Sequence, residues 1–599
     1  KYLFLLGCSI VVADPAMAQE AEDLHDCCII SPTISDTRIT VTATGFGERL
    51  SQVGQSVSVV GASEIESIQG ADPARLLERL PGVTLARSGP LGSQTSLFVR
   101  GANSQQLLVM IDGIRAEDNA APSGGFDLGT LVSGGIGRIE LLRGSNSLAW
   151  GSDAIGGVLS ISSDDAKGLR GTLEYGAHDT LSSSVNLGLA SDHGSLGFYG
   201  GFVRSDGISA FAGGAEPDGF RQWQLGGRGR LALGGNLSLV AAGRYADSRI
   251  EFDGFPAPLY AFADTPEYQF TRQGTGRLGF DYDGGGLDLT AGVALSDTRR
   301  AYYDPTFGSA PNFETSGRGV HADLRGKANI ANSWQFDFGA DADWSLFSTT
   351  FDPRQTARLL GVHAMLGYHS STFHLTGGAR IDDHDRFGNH VTLGATISFD
   401  LNWDWRLRAS WGQGFKTPTL SQLYGFGGNT GLEPETSTGL DAGIEYGTRN
   451  SWGHFALTVF RRDSSNLIDY LSPTGYFNTG MARAQGVEVE AGAKVADGFN
   501  VRGAYTLLDA TNRLTGKDLA RRPRNMLSLS ADWTTPLHDL KLGADLRMVG
   551  DSFDDAGNFT AIDGHALLTL RASLPLGERF ELYGRIENLT DARYETVAG

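Results

Sequence analysis

Strict alternation of apolar and polar residues, repeated in segment after segment from about residue 170 onward, constrains this chain more than any other feature. Val487, Val489, Ala491, Ala493 and Val495 fall on one side of an extended strand, with Glu488, Glu490, Gly492 and Lys494 on the other. Leu527, Leu529, Ala531 and Trp533 alternate with Ser528, Ser530 and Asp532, and Leu237, Leu239, Ala241, Gly243 and Tyr245 form another such face. Glycine, 82 of 599 residues, is about twice its usual ~7% share and has no collagen period, which suits many strands and turns. Two architectures use such ribbons: a soluble sandwich whose apolar faces meet, and a barrel with lipid outside and water or protein inside. A spanning strand takes ~9–11 residues plus its connection, so 167–599 holds about twenty, and a lumen of that size needs a plug.

The remaining chain narrows the choice. A formal charge of −20 argues against nucleic-acid binding, and no run after residue 18 approaches the ~18 apolar residues of a membrane helix. Residues 1–18 run from Lys1 through an apolar stretch to Ala16-Met17-Ala18, the pattern of an export signal cleaved before Gln19. Leu5-Leu6-Gly7-Cys8 resembles a lipoprotein processing box, but too few residues precede it for an ordinary apolar segment. The adjacent Cys27 and Cys28 form no disulfide framework and no zinc site, and read as a cysteine pair in a tether. That tether spans 19–48 and ends in a β-branched alternating run from Arg38 to Thr44, suited to pairing with a sheet edge of another protein or to serving as an ordinary first strand. Residues 49–166 read as a separate α+β unit, with short helices at 63–68 and 72–80, the second capped by Asp72 and opened by Pro73, and short apolar strands such as 107–111 and 139–142.

Four motifs in this unit carry a family resemblance. Phe98-Val99-Arg100-Gly101, residues 107–115 (LLVMIDGIR), residues 138–144 (RIELLRG) and residues 151–158 (GSDAIGGV) resemble, in order and spacing, the plug of TonB-dependent outer-membrane receptors. Residues 415–426 (FKTPTLSQLYGF), 432–435 (LEPE), 466–470 (NLIDY), 476–478 (YFN) and 482–488 (ARAQGVE) resemble most the cobalamin transporters of that family. The resemblance implies a mainly β fold: a transmembrane antiparallel barrel of about 22 strands in the outer membrane of a Gram-negative bacterium, with the plug in its lumen. The sequence given stops at Gly599, where the family begins its last strand; an open barrel would leave two sheet edges unpaired in lipid, so the sequence is expected to stop short of that strand rather than the barrel to be unclosed. The implied function is cobalamin uptake driven by TonB, which would engage Ile39, Thr40, Val41, Thr42 and Ala43 by strand addition. The alternatives are a siderophore or other nutrient receptor of the same kind, a passive porin, or a barrel enzyme. A porin has no plug. An enzyme would draw on Asp382-Asp383-His384-Asp385 with His390, but a charged rim loop explains that cluster more simply, and no HExxH, GxSxG or P-loop accompanies it.

The same resemblance implies site residues. Substrate contacts map to Ser88, Pro90, Leu91, Gly92, Ser93 and Gln94 in one plug loop, and to Asn119, Ala120, Ala121, Pro122 and Ser123 in another. Small and polar residues there let a bulky ligand approach the backbone. Glu216, Asp218, Asp253 and Asp264 match the family's extracellular Ca²⁺ carboxylates, with Ser209 where a further aspartate is expected. Arg100 and Arg143 are expected to pair with Glu488 across the plug–barrel boundary.

Overall fold

A computed structural model describes residues 3–12, 39–40, 43–401, 404–449, 451–471 and 474–598. Among these, twenty-two antiparallel strands close into a barrel. From Gly168–Gly176 to Phe580–Glu587 they follow chain order, each paired with its successor. Connections at one rim are short; those at the other include the loops 206–219, 255–262, 417–434 and 466–480, and this end is called the upper rim. The strand Gln355–His369 shows why the chain closes in this way: Leu359, His363 and Met365 are buried on the lumen side, while Leu360, Val362 and Leu366 are exposed on the outside. Such a side chain exposed in water forgoes roughly 1.5–3 kcal/mol of burial, and hydrocarbon removes that deficit. Aromatic pairs, Trp334 with Tyr368 at 5.2 Å and Trp405 with Tyr446 at 5.1 Å, stand at the lower end of the apolar band, where rings with one wet edge prefer to sit. No helix of the described residues is long and apolar enough to cross a membrane.

At the seam, Leu3–Val12, inside the segment read as an export signal, pairs with Phe580–Glu587 on one side and Gly168–Gly176 on the other, so among the described residues the barrel is closed. Ten mostly apolar residues match the ~9–11 of a spanning strand, and without a partner both edges would offer unpaired backbone groups to lipid. The tether at 19–38, with Cys27 and Cys28, lies outside the described residues.

Inside the barrel the plug folds around a mixed sheet in the order Ser56–Val60, Ile136–Arg143, Gly157–Ser163, Leu107–Ile111, Ile114–Arg115. Its core gathers Leu76, Leu77, Leu80, Leu97, Ile139 and Leu159. The helices run over Ala62–Ile68 and Ala74–Leu77, and Asp72 Oδ1 accepts from the Ala74 N–H at 2.9 Å, the cap its position calls for. The plug hairpin Val83–Arg87 and Thr95–Val99 aims its loop toward the upper rim.

Candidate functional site

A cavity of about 1560 Å³ opens above the plug between two of its loops and the barrel wall, and continues down beside the plug past Arg75 and Arg79 against Asp545 and Arg547 of the wall. In the hairpin loop, Ser88, Gly92, Ser93 and Gln94 line it. The loop is held from within: the Ser88 N–H donates to the Gln94 carbonyl at 3.1 Å and the Ser93 N–H to the Pro90 carbonyl at 3.1 Å. Gly92 has φ +91°, and a Cβ there would lie 2.1 Å from the Phe220 ring, so no other residue fits. Pro90 and Leu91 are not part of the lining; Leu91 packs instead beside Val203, Phe220 and Ile250. In the second loop Ala121, Pro122 and Ser123 line the cavity, whereas Asn119 and Ala120 turn to the wall, the Thr315 hydroxyl donating to the Ala120 carbonyl at 3.0 Å. Buried Asp118 anchors this loop, accepting from the Ala120 N–H at 3.0 Å and pairing with Arg300 of the wall. Sequence reasoning missed Arg300, Tyr302, Gln422, Tyr470 and Tyr476, all of which line the cavity. The last three lie within the motifs at 415–426, 466–470 and 476–478, so their signal was present and unused.

At the upper rim, loop 206–219 folds against the ends of Leu237–Gly254 and Ala263–Asp283. It brings Glu216, Asp253 and Asp264 together, with one oxygen of each within 4.8 Å of the others. Backbone donors orient them: Phe211 N–H to Asp253 Oδ2 at 2.7 Å, Thr265 N–H to Asp253 Oδ1 at 2.8 Å and Ala215 N–H to Asp264 Oδ2 at 2.7 Å. Ser209 donates its hydroxyl to Asp253 Oδ2 at 2.9 Å. Asp218, 1% exposed, accepts from the Ala210 N–H through Oδ2, and its Oδ1 has no partner; Glu216 Oε2 also lacks one. Burial pushes the Asp218 carboxyl up to about 7, against the Ala210 N–H and with repulsion from Asp253 and Glu216 adding to it. Converging oxygens with spare lone pairs suit a hard cation such as Ca²⁺.

The plug is fastened to the wall by buried ion pairs. Arg100 grips Glu488 through two of its nitrogens, Nε at 2.8 Å and Nη2 at 2.7 Å. Arg143 stands 3.7 Å from the same carboxylate while donating to the Pro81 carbonyl at 3.1 Å. At the lower end, plug Glu64 takes Arg449 at 2.8 Å; burial alone would raise its pKa, but Arg449 outweighs it and holds Glu64 at about 2. Asp382 is committed to Arg380 in the lumen, and His390 stacks on Phe415 at 4.4 Å, so this group forms no single cluster.

Two family descriptions match: the TonB-dependent Receptor Plug Domain over residues 49–158, and the TonB dependent receptor-like beta-barrel over residues 252–589. The chain belongs to the TonB-dependent receptor family. Solved receptors share its architecture. The ferric enterobactin receptor of Pseudomonas aeruginosa superposes with a TM-score of 0.75 at 18% identity, over 92% of this chain and 100% of that one. The siderophore receptor PirA of Acinetobacter baumannii gives 0.71 at 15%, over 89% and 98%. The FrpB iron transporter of Neisseria meningitidis gives 0.75 at 12%, over 89% and 99%.

The receptor is thus an outer-membrane protein of Gram-negative type, and its upper rim is the extracellular one. The segment 39–43, expected from the sequence to be a TonB box, lies at the opposite, periplasmic end. Ile39–Thr40 pairs with Glu48–Arg49, Thr40 is fully buried with its hydroxyl donating to plug Glu140 at 2.6 Å, and Ala43 is 3% exposed. Val41 and Thr42 lie outside the described residues.

Proposed function

We propose that this receptor binds a bulky nutrient chelate in the extracellular cavity and releases it to the periplasm when TonB draws on residues 39–43. One juxtaposition carries the reading: both plug loops that form the cavity floor belong to the same domain whose other end holds the box, so a pull on the box reaches the binding surface through one folded body. The siderophore class is supported by the related architectures, whose names record ferric enterobactin and siderophores. Cobalamin is the second reading, favoured by Gln422, Tyr470 and Tyr476, which bring the cobalamin-transporter motifs to the cavity wall. Equilibrium binding of radiolabelled cyanocobalamin against ferric siderophores on purified receptor decides between them; the ligand that saturates is the substrate class, and saturation by none removes the cavity as the binding site.

Loop 206–219 further supports a structural Ca²⁺ held by Glu216, Asp253 and Asp264, with the free Asp218 oxygen beside them. The ion would tie the loop to the two strand ends that frame the cavity. Calorimetric titration of Ca²⁺ into the wild type and an Asp253→Ala, Asp264→Ala double variant tests this; a binding heat confined to the wild type supports it, and equal heats remove the site.

A further inference from the structure

Resting on the reading of the cavity as the nutrient site, we infer that its ligand is an uncharged or cationic polar chelate, and that polyanionic ferric catecholates are excluded. Among the described residues, eleven carboxylates but only six arginines and no lysine line the cavity. The arginines are already committed. Arg79 lies 2.5 Å from Asp545, Arg87 2.6 Å from Asp72 and Arg75 2.8 Å from Glu587. Arg521 lies 2.6 Å from Asp554, Arg300 pairs with Asp118, and Arg547 stands 3.9 Å from Glu78. An anion entering this cavity must either face a surplus of like charge between low-dielectric walls or take an arginine from its carboxylate, leaving that carboxylate buried and alone. A bound Ca²⁺ would offset two of the surplus charges and leave the balance acidic.

The paired arginines still hold unused donors. Arg79 Nη1, Arg300 Nη1 and Arg547 Nε are buried with no acceptor. Closed off as they stand, these N–H groups become donors for neutral acceptors such as carboxamide or hydroxamate oxygens once the side chain turns toward the cavity, with its charge already compensated. Arg300, 7% exposed, sits beneath Tyr302, and Phe255, Phe262, Tyr470 and Tyr476 add aromatic faces that favour apolar bodies or cations. At about 1560 Å³ the space exceeds the ~300–1,000 Å³ of an ordinary small-molecule pocket, so a large ligand is accommodated without close packing on every side.

The test is equilibrium binding of three probes to the full receptor in detergent: trianionic ferric enterobactin, monocationic ferrioxamine B and uncharged cyanocobalamin. The expected result is saturable binding of at least one of the last two, about a hundredfold or more tighter than ferric enterobactin. Raising NaCl from about 20 to about 500 mM should narrow that gap by screening the repulsion. Ferric enterobactin binding as tightly as both others overturns the inference, and so does saturable binding of none. An Asp72→Asn, Asp545→Asn variant, which frees Arg87 and Arg79, should strengthen ferric enterobactin binding by about tenfold; no change in a variant that still binds its neutral probe counts against it. These measurements do not involve TonB, so a charge preference that holds while uptake proves independent of the box would sink the transport reading alone.

Discussion

At the scale of single residues, charge burial decides the behaviour. Glu488 is 3% exposed and held by Arg100 with Arg143 close by, so reversing it to Lys places three cations together inside the lumen. The expected outcome of Glu488→Lys is a loosened plug, read as raised ion conductance in planar bilayers; conductance equal to wild type contradicts it. Asp218 gives a pH dependence. Its pKa of about 7 stands above the ordinary 3.8, so protonation stabilises the cation-free loop at acid pH, and that contribution is lost as pH rises through about 7. Ca²⁺ must displace this proton, so its affinity should rise between about pH 5 and 8 with proton release, and calorimetry in buffers of different ionisation enthalpy checks it. A pH-independent affinity contradicts the role of Asp218. That Glu216, Asp253 and Asp264 approach one another, and that Arg100 meets Glu488, was legible from local spacing and motif; that Asp218 stands outside that group, and what the carboxylates bind, was not. Arg300 was not legible either: Arg100 and Glu488, 388 residues apart, both sit in motifs that carry the resemblance, whereas neither Arg300 nor its partner Asp118 does.

Elements are where the sequence speaks most clearly and where it is ambiguous once. Alternation with period two identifies the barrel strands because lipid on one side and water or plug on the other enforce it over every spanning segment, as Gln355–His369 shows. The plug helices were legible from Asp72 and Pro73 and from the leucines of one face, although the second ends at Leu77 rather than 80, where the chain leaves the helix to bury Leu80. The ambiguity is Leu3–Val12: ten mostly apolar residues serve equally as a signal core or as a barrel strand, and composition cannot separate the two. The export reading expects the purified outer-membrane protein to begin at Gln19; intact-mass measurement that retains Leu3–Val12 would assign the seam strand to this segment instead. The strand at the proposed TonB box yields a further prediction. Thr40 is held by Glu140, and Glu140→Gln removes the charge from that hydrogen bond, worth about 1 kcal/mol or more. A spin label at residue 43 should then become more mobile in the absence of ligand, and an unchanged spectrum would show that the contact does not retain the box.

For the whole molecule, the barrel and plug explain each other: a pore of twenty-two strands would leak without a stopper, and the plug finds in the lumen wall the partners for its buried charges at Arg100, Glu64 and Arg79. The fold was legible because both halves follow from repetition, period two in the barrel and four ordered motifs in the plug. The cavity was legible only in outline, since its wall is assembled from loops far apart in sequence, and since turns such as the one at Ala120 decide which side of a loop faces the ligand. The central claim, that the plug is moved by TonB rather than by ligand alone, is tested most directly by comparing binding with uptake in cells carrying Val41→Pro, which removes a backbone donor that strand addition needs. The account predicts unchanged surface binding of the ligand found in the three-probe assay, with accumulation in the periplasm abolished. Accumulation at the wild-type rate would contradict it.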